Sequence, residues 1–172
     1  MRLFFALNFS GETKAKLAGL RERLREQASR GNFSRDDNLH LTLVFLGECD
    51  ARRISAAKAA LDGLPFSPLR LTVDRVGRFR REGGDIWWAG LAGSRELSAL
   101  RGGLARRLAD AGFAPEGRGY SPHITLGREV VSDVSPWAIE PFSEEVRSVE
   151  LMKSERLRGV LTYTAIHKKG AD

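Results

Sequence analysis

The sequence predicts an α+β fold of two pseudo-symmetric lobes, each an antiparallel sheet with helices on its outside, that together form a central cleft. Two observations favour this architecture. The frame His-x-Thr-Leu occurs twice, at His40 and at His123. Each copy is preceded by an apolar strand and an amphipathic helix, which indicates an approximate duplication within one domain of residues 1–172.

The first half opens with an apolar run, residues 2–8, which predicts a strand buried on both faces. Ser10 is a suitable N-cap for a helix whose leucines recur at helical spacing. We expect this helix to end near Gly31. Its arginines are expected to lie off the apolar stripe: Arg21, Arg23 and Arg25.

The first motif strand is predicted from Asn38 or Leu39 to Leu46, and a second helix follows it. Asp50 can cap that helix at its N-terminus, and Gly63 lies just beyond its end. The segment 64–68 contains two prolines and predicts a break between the two halves.

The second half begins with two predicted strands, residues 69–73 and 85–91, on either side of a basic segment, 75–81. This segment is either a solvated hairpin or a surface that follows an RNA backbone. A third helix is predicted between the N-cap Ser94 and Gly112, since its leucines keep strict helical spacing.

The second motif strand is predicted to begin after Pro122, which fixes how the chain enters it. Two last strands are predicted over residues 143–152 and 157–167. The charged stretch 153–156 is expected to connect them.

Each motif strand should be amphipathic, because successive side chains of a strand point to opposite faces. His40 and Thr42 then share one face, and His123 and Thr125 share the corresponding face of the second strand. The side chains expected on the opposite, buried faces are Leu39, Leu41, Leu43, Phe45, Ile124 and Leu126. Strict alternation also places Arg128 away from the histidines, so it reaches the cleft only if the strand bulges or twists near Gly127.

Two histidines at one cleft suit proton transfer in both directions, because imidazole titrates near neutral pH. A neutral ring can deprotonate water while a protonated ring donates to the leaving oxygen, as in-line cleavage of a phosphodiester requires. The threonine hydroxyls can donate to the phosphate oxygens. A metal site would need a third ligand, and neither frame carries one in register, so no metal and no cofactor are expected.

Composition favours an anionic partner, because the net charge is +6 and the isoelectric point is about 10.0. One cysteine, Cys49, excludes an internal disulfide and a cysteine-built metal site. The apolar N-terminus is interrupted by Asn8 and Ser10 and has no cleavage-like site, and no segment is long enough to span a membrane. We therefore expect a cytoplasmic protein that has no membrane partner.

The two motifs resemble those of the two-histidine phosphoesterase superfamily, and within it the bacterial and archaeal RNA 2',3'-cyclic phosphodiesterases, long called 2'-5' RNA ligases. The residues that carry the resemblance are Asn38-Leu39-His40-Leu41-Thr42-Leu43-Val44-Phe45-Leu46-Gly47 and Ser121-Pro122-His123-Ile124-Thr125-Leu126-Gly127-Arg128. The opening residues 2–7, the segment 88–91 and, near the C-terminus, residues 151–154, Gly159 and Tyr163 are also similar to that family.

The resemblance implies metal-independent hydrolysis of a terminal 2',3'-cyclic phosphate of RNA to a 2'-phosphate, with 2'-5' ligation as the reverse reaction. It makes His40 the proton donor to the departing 3' oxygen and His123 the proton acceptor that activates water. Thr42, Thr125 and Arg128 would bind the phosphate. The expected partner is an RNA or oligonucleotide with a cyclic phosphate end. The sequence demands neither a protein partner nor an oligomer, so a monomer is expected.

Two other functions remain open at this point. One is a non-catalytic RNA-binding module that uses the same basic cleft. The other is a phosphodiesterase with the same histidine pair that acts on small cyclic nucleotides. By residue type alone, the two frames are nearly equivalent, so the sequence does not decide which histidine is the acid.

Overall fold

The computed structural model describes residues 1–115 and 119–172. In these residues the chain forms nine strands and three α-helices. In chain order they are β1 (Arg2–Asn8), α1 (Gly11–Glu26), β2 (Ala28–Phe33), β3 (His40–Glu48), α2 (Ala51–Asp62), β4 (Leu69–Phe79), β5 (Asp85–Leu91), α3 (Arg95–Asp110), β6 (His123–Ser132), β7 (Trp137–Val146), β8 (Ser148–Leu157) and β9 (Val160–Gly170). A short 3₁₀ helix, Asp36–Asn38, precedes β3.

The strands form two antiparallel sheets, which confirms the predicted α+β fold. One sheet has the order β3-β1-β8-β9 and the other β2-β6-β5-β4-β7. The two motif strands, β3 and β6, therefore belong to different sheets, yet they contact each other. One core of buried residues includes Leu3 and Leu41 of the first sheet and Trp87 and Ile124 of the second. This shared core holds the two motif strands together.

The three predicted helix starts are confirmed, because each cap has the right side chain at the right place. The hydroxyl oxygen of Ser10 accepts a hydrogen bond from the N–H of Thr13. Asp50 and Ser94 cap α2 and α3 in the same way. Each of these side chains satisfies a backbone donor that has no partner within the helix.

The region after α1 differs from the prediction. Helix α1 ends at Glu26 and not near Gly31, and residues Ala28–Phe33 form strand β2. This segment has little intrinsic preference for a strand, since it contains Gly31 and Asn32. It becomes a strand because it pairs with β6. That pairing is long-range and leaves no local signal in the sequence.

Two predicted connections were also wrong. The basic segment 75–81 is largely part of β4, which runs from Leu69 to Phe79. The charged stretch 153–156 lies inside β8, and the turn to β9 falls at Arg158 and Gly159. The predicted strand over residues 143–152 is divided near Arg147, because β7 pairs in one sheet and β8 in the other. A run of charged residues therefore does not by itself locate a turn between strands.

Arg21 was expected off the apolar face of α1, but it is buried with 9% of its surface exposed. It follows Leu17 by four residues and precedes Leu24 by three, so helical geometry places it on their face. Its Nη1 donates to the carbonyl oxygen of Ser34 at 2.9 Å and also to Asp36 Oδ1. Arg21 thus ties α1 to the segment between β2 and β3.

No helix in the described residues is long and apolar enough to cross a membrane.

We predict that Arg21→Gln lowers the free energy of unfolding by about 1.5–3 kcal/mol, because it removes hydrogen bonds that a buried charged group makes. Urea denaturation followed by circular dichroism measures this. The matched control is Arg106→Gln, which removes an exposed arginine from the middle of α3 and should change stability by less than about 0.5 kcal/mol. Equal effects of the two substitutions would contradict a structural role for Arg21.

Candidate active site

A cleft of about 830 Å³ lies between the two sheets. This is near the upper end of the roughly 300–1,000 Å³ typical of small-molecule sites. One wall comes from β1, β3, β8 and β9, and the other from β2, β6 and the segment after β2. The cleft brings together all five residues singled out from the sequence: His40, Thr42, His123, Thr125 and Arg128.

His40 is held at both ring nitrogens. Its Nδ1 lies 2.7 Å from the carbonyl oxygen of Asn38, and its Nε2 lies 2.8 Å from Thr42 Oγ1. A carbonyl oxygen only accepts hydrogen bonds, so Nδ1 must carry a proton. In the neutral ring, Nε2 is then the basic atom and accepts from the Thr42 hydroxyl. In the protonated ring, Nε2 donates.

His123 is held in a similar way at one nitrogen. Its Nδ1 donates to the carbonyl oxygen of Ser121 at 2.8 Å. Ser121 lies two residues before His123, just as Asn38 lies two residues before His40. Nε2 of His123 has no hydrogen-bond partner among the described residues. In both rings Nε2 is therefore the nitrogen left for chemistry; that of His40 is hydrogen-bonded to Thr42, whereas that of His123 has no partner among the described residues.

Aromatic rings pack against both imidazoles, a feature that sequence reasoning did not assign to the site. Phe4 and Tyr163 lie 4.9 and 5.1 Å from His40, between ring centroids. Phe79 lies 5.0 Å from His123. These rings come from other strands, and only the pairing of the sheets brings them to the histidines. They restrict the orientation of each imidazole and exclude water from one side of it.

A bulge interrupts the alternation in each motif strand. In β3, Thr42 pairs with Ala6 and Val44 with Phe5, which leaves Leu43 as the extra residue. The side chain of Phe45 therefore lies on the cleft face and is 52% exposed. The prediction that Phe45 is buried behind the motif was wrong, because a bulge reverses the side-chain parity after it.

The bulge in β6 brings Arg128 to the cleft. Trp88 pairs with Thr125 and Trp87 with Gly127, which leaves Leu126 as the extra residue. Arg128 thus shares the face of His123, although strict alternation would place it opposite. Arg128 and Phe45 each lie five residues after their histidine. The common offset is a signal that the sequence already contained.

The environment lowers the pKa of both histidines below the usual 6.5. Burial is the main cause, because it disfavours the charged ring. The charge of Arg128 lowers both pKa values further, while the carbonyl oxygens of Asn38 and Ser121 oppose the shift. The pKa of Tyr163 is raised, again mainly by burial. An anion in the cleft would act against the effect of Arg128.

The charge of the cleft is predominantly positive. Four arginines and one glutamate line it: Arg2, Arg35, Arg128, Arg156 and Glu155. The guanidinium of Arg2 lies 5.1 Å from the centre of the Phe45 ring. Arginine beside an exposed aromatic ring is a combination that can bind a phosphate and stack on a base. Among the described residues, no group of three or more His, Cys, Asp or Glu side chains could hold a metal ion.

Other polar side chains lie outside the site or have a structural role. Tyr120, just before β6, donates its hydroxyl to the carbonyl oxygen of Thr42 at 2.8 Å. It therefore ties the segment before β6 to β3. His167 bonds to Asp62 at 2.6 Å. In the basic segment, Arg78 donates to the carbonyl oxygen of Val134, and none of its arginines lines the cleft.

Comparison with known proteins identifies relatives of the whole chain. Residues 7–88 and 91–162 match the family described as LigT like Phosphoesterase. An RNA 2',3'-cyclic phosphodiesterase of Escherichia coli K12 is 30% identical, over 97% of this chain and 94% of the relative. One of Archaeoglobus fulgidus is 29% identical, over 90% of this chain and 91% of the relative.

Solved structures agree with the sequence comparison. The crystal structure of E. coli LigT complexed with 3'-AMP superposes with a TM-score of 0.85, at 30% identity, over 99% of this chain and 97% of that one. TT0787 of Thermus thermophilus gives a TM-score of 0.85 at 25% identity, over 99% of this chain and 97% of that one. Because the family match covers most of the chain and the two-sheet fold is shared, the chain belongs to the LigT-like phosphoesterase family.

Proposed function

We propose that this protein hydrolyses the terminal 2',3'-cyclic phosphate of RNA to a 2'-phosphate, with His40 as proton donor and His123 as proton acceptor. The observation that carries the proposal is the arrangement of the two imidazoles at one cleft. Each has its Nδ1 engaged by a backbone carbonyl oxygen, so each offers Nε2 to the cleft. The activity for which the relatives are named supports the choice of substrate.

In the proposed reaction, Nε2 of neutral His123 takes a proton from water, and the water oxygen attacks phosphorus. The bond between phosphorus and the 3' oxygen breaks, and the proton on Nε2 of His40 goes to that oxygen. The bond to the 2' oxygen remains, so the product is a 2'-phosphate beside a free 3'-hydroxyl. Each proton transfer contributes about 10²–10⁴-fold to the rate.

The remaining polar side chains of the cleft suit the phosphate. The hydroxyls of Thr42 and Thr125 and the guanidinium of Arg128 are donors that can bind the non-bridging oxygens as charge develops there. Arg128 should make the strongest hydrogen bond of the three, because hydrogen bonds between two charged groups are stronger than those between neutral groups. Its charge also acts on both histidines.

His40 must be protonated to act as the acid, although burial lowers its pKa. The negative charge of the bound phosphate favours the imidazolium form and raises that pKa in the complex. Substrate binding thus supplies the protonation state that the reaction needs. The Thr42 hydroxyl accepts the hydrogen bond from Nε2 of His40 until the 3' oxygen replaces it.

We further propose that a 5'-hydroxyl of RNA can replace water in the same steps and give a 2'-5' linkage. The monomeric state expected from the sequence remains a proposal. Both motif strands pack on one core, which supports a single bilobal domain over residues 1–172. A cytoplasmic location likewise remains a proposal.

The central prediction is metal-free turnover that depends on both histidines. In excess EDTA, the protein should convert a short RNA with a 2',3'-cyclic phosphate end to the 2'-phosphate product only. His40→Ala and His123→Ala should each reduce kcat by about 10²–10⁴-fold, because each removes one proton transfer. Chromatography that resolves 2'- from 3'-phosphate ends is the measurement.

The control for this experiment is His167→Ala, since His167 bonds to Asp62 outside the cleft. It should keep the wild-type rate. Turnover that neither cleft substitution affects, or turnover abolished by EDTA, would contradict the mechanism. RNA binding with no turnover at all would favour a non-catalytic binding module.

The pH dependence of kcat/KM follows from the two lowered pKa values. In the free enzyme, kcat/KM falls at low pH as His123 gains a proton, and at high pH as His40 loses its proton. Both pKa values lie below 6.5, so the maximum of kcat/KM should lie on the acid side of that value. On the alkaline side, kcat should decline at a higher pH than kcat/KM does, because bound phosphate raises the pKa of His40 in the complex. A kcat/KM that still rises above pH 8 would contradict this assignment.

Removing the charge of Arg128 should change both the reaction with substrate and the pKa values of the two histidines. Arg128→Met should lower kcat/KM by about 10- to 100-fold, since hydrogen bonds to charged groups contribute about 1.5–3 kcal/mol. It should also raise the pKa of His40 and of His123, measured by NMR titration, because the Arg128 charge lowers both. Arg35→Met is the matched control. It removes another arginine of the cleft and should leave both histidine pKa values unchanged.

A further inference from the structure

The turn between β8 and β9 has a residue that its backbone conformation disfavours. Arg158 and Gly159 have positive φ angles of 52° and 78°, and Leu157 pairs with Val160 across the turn. Two-residue hairpin turns with two positive φ angles favour Asn-Gly, because most side chains are strained in this region. Arginine at the first position is therefore unfavourable for folding and calls for another explanation.

The side chains around this turn are also unusually exposed. Leu157 and Val160 are 49% and 40% exposed. Arg158 is exposed, and it has no hydrogen bond or ion pair among residues 1–115 and 119–172. Two aliphatic side chains and an unengaged guanidinium thus lie together at one hairpin tip, which we define as residues 156–160.

The hairpin tip is continuous with the cleft. Arg156, Gly159 and Val160 are part of the cleft wall, so the tip forms its rim on the side of the first sheet. Arg156 and Arg158 add positive charge there, while Glu155 is the acidic side chain beside them. A surface that combines cations with exposed apolar groups suits a single-stranded nucleic acid, which presents phosphates and bases together.

The proposed mechanism determines which part of the RNA reaches this rim. The 3' oxygen that His40 protonates stays attached to the terminal ribose, so that ribose lies on the wall that holds His40. That wall is the sheet of β3, β1, β8 and β9, which also carries the hairpin tip. We therefore expect the strand on the 5' side of the terminal nucleotide to leave the cleft over the same sheet.

We propose that the hairpin tip binds the RNA strand immediately 5' of the cyclic phosphate end and so favours oligonucleotides over mononucleotides. Arg158 contacts a phosphate of that strand, and Leu157 and Val160 contact a base. The inference rests on the proposed function, and it assigns to that function a second binding surface outside the catalytic pocket.

The test compares two substrates, a mononucleoside 2',3'-cyclic phosphate and a hexanucleotide with the same end, in the wild type and in Arg158→Asn. The quantity of interest is the ratio of kcat/KM for the hexanucleotide to that for the mononucleotide. In Arg158→Asn we expect this ratio to fall by about two- to fivefold, as for the loss of one exposed charge contact. The melting temperature should rise by about 2–4 °C, because Asn relieves the strain of the turn.

Two further variants complete the test. Arg158→Lys keeps the charge and should keep most of the preference. Arg52→Gln removes an exposed arginine from α2 and should leave the ratio unchanged, which controls for the loss of one positive charge anywhere on the protein.

Opposite changes of stability and oligonucleotide preference in Arg158→Asn would support the inference. A higher melting temperature with an unchanged ratio would overturn it, since Arg158 would then have no part in binding RNA. A wild-type enzyme that hydrolyses both substrates equally well would also overturn it and leave the proposed function intact. Failure to hydrolyse either substrate would overturn the proposed function itself and this inference with it.

Discussion

The structure depends on one constraint at the motif strands: each must bury one face in a shared core and present the other to a common cleft. Leu41 and Ile124 are fully buried, and their neighbours His40 and His123 lie at the cleft. The alternation of a β-strand satisfies both requirements over three or four residues. A bulge at Leu43 and another at Leu126 then reverse the parity, so that Phe45 and Arg128 join the cleft face. Without these bulges, the cleft would hold two histidines but not the cation that acts on both.

The electrostatics of the site reflect a balance between burial and charge. Burial in the cleft lowers the pKa of each histidine, and Arg128 lowers it further. A neutral imidazole suits a base, so this environment favours the proposed role of His123 directly. The proposed acid needs the opposite state, and a bound anion provides it. Arg128, which we propose to bind the phosphate, thus adds to the effect of burial in favouring the neutral form of both imidazoles. The Nδ1 hydrogen bonds to Asn38 and Ser121 fix which nitrogen is available in either state.

Hydrogen bonds from neighbouring segments hold the strands that carry His40 and His123. Tyr120, just before β6, bonds to the backbone of Thr42 in β3. Ser34 donates its hydroxyl to the carbonyl oxygen of Thr125, and Arg21 in turn holds the carbonyl of Ser34 from α1. These contacts use backbone carbonyls, so they constrain the two strands and not only their side chains. Arg21, Ser34 and Thr125 form two consecutive hydrogen-bonded steps from α1 to β6.

The sequence by itself determined the features that depend on local pattern. These features are the helix caps at Ser10, Asp50 and Ser94, the buried strand at the N-terminus and the doubled His-x-Thr-Leu frame. Each depends only on residues that are close together in the chain. Only the tertiary structure decided that Ala28–Phe33 is a strand and that Arg21 is buried beside Ser34. It also decided that Phe45 and Arg128 turn toward the cleft and that Phe4, Tyr163 and Phe79 enclose the histidines. These features depend on pairing between strands far apart in the chain, and no periodicity within a single segment encodes such pairing.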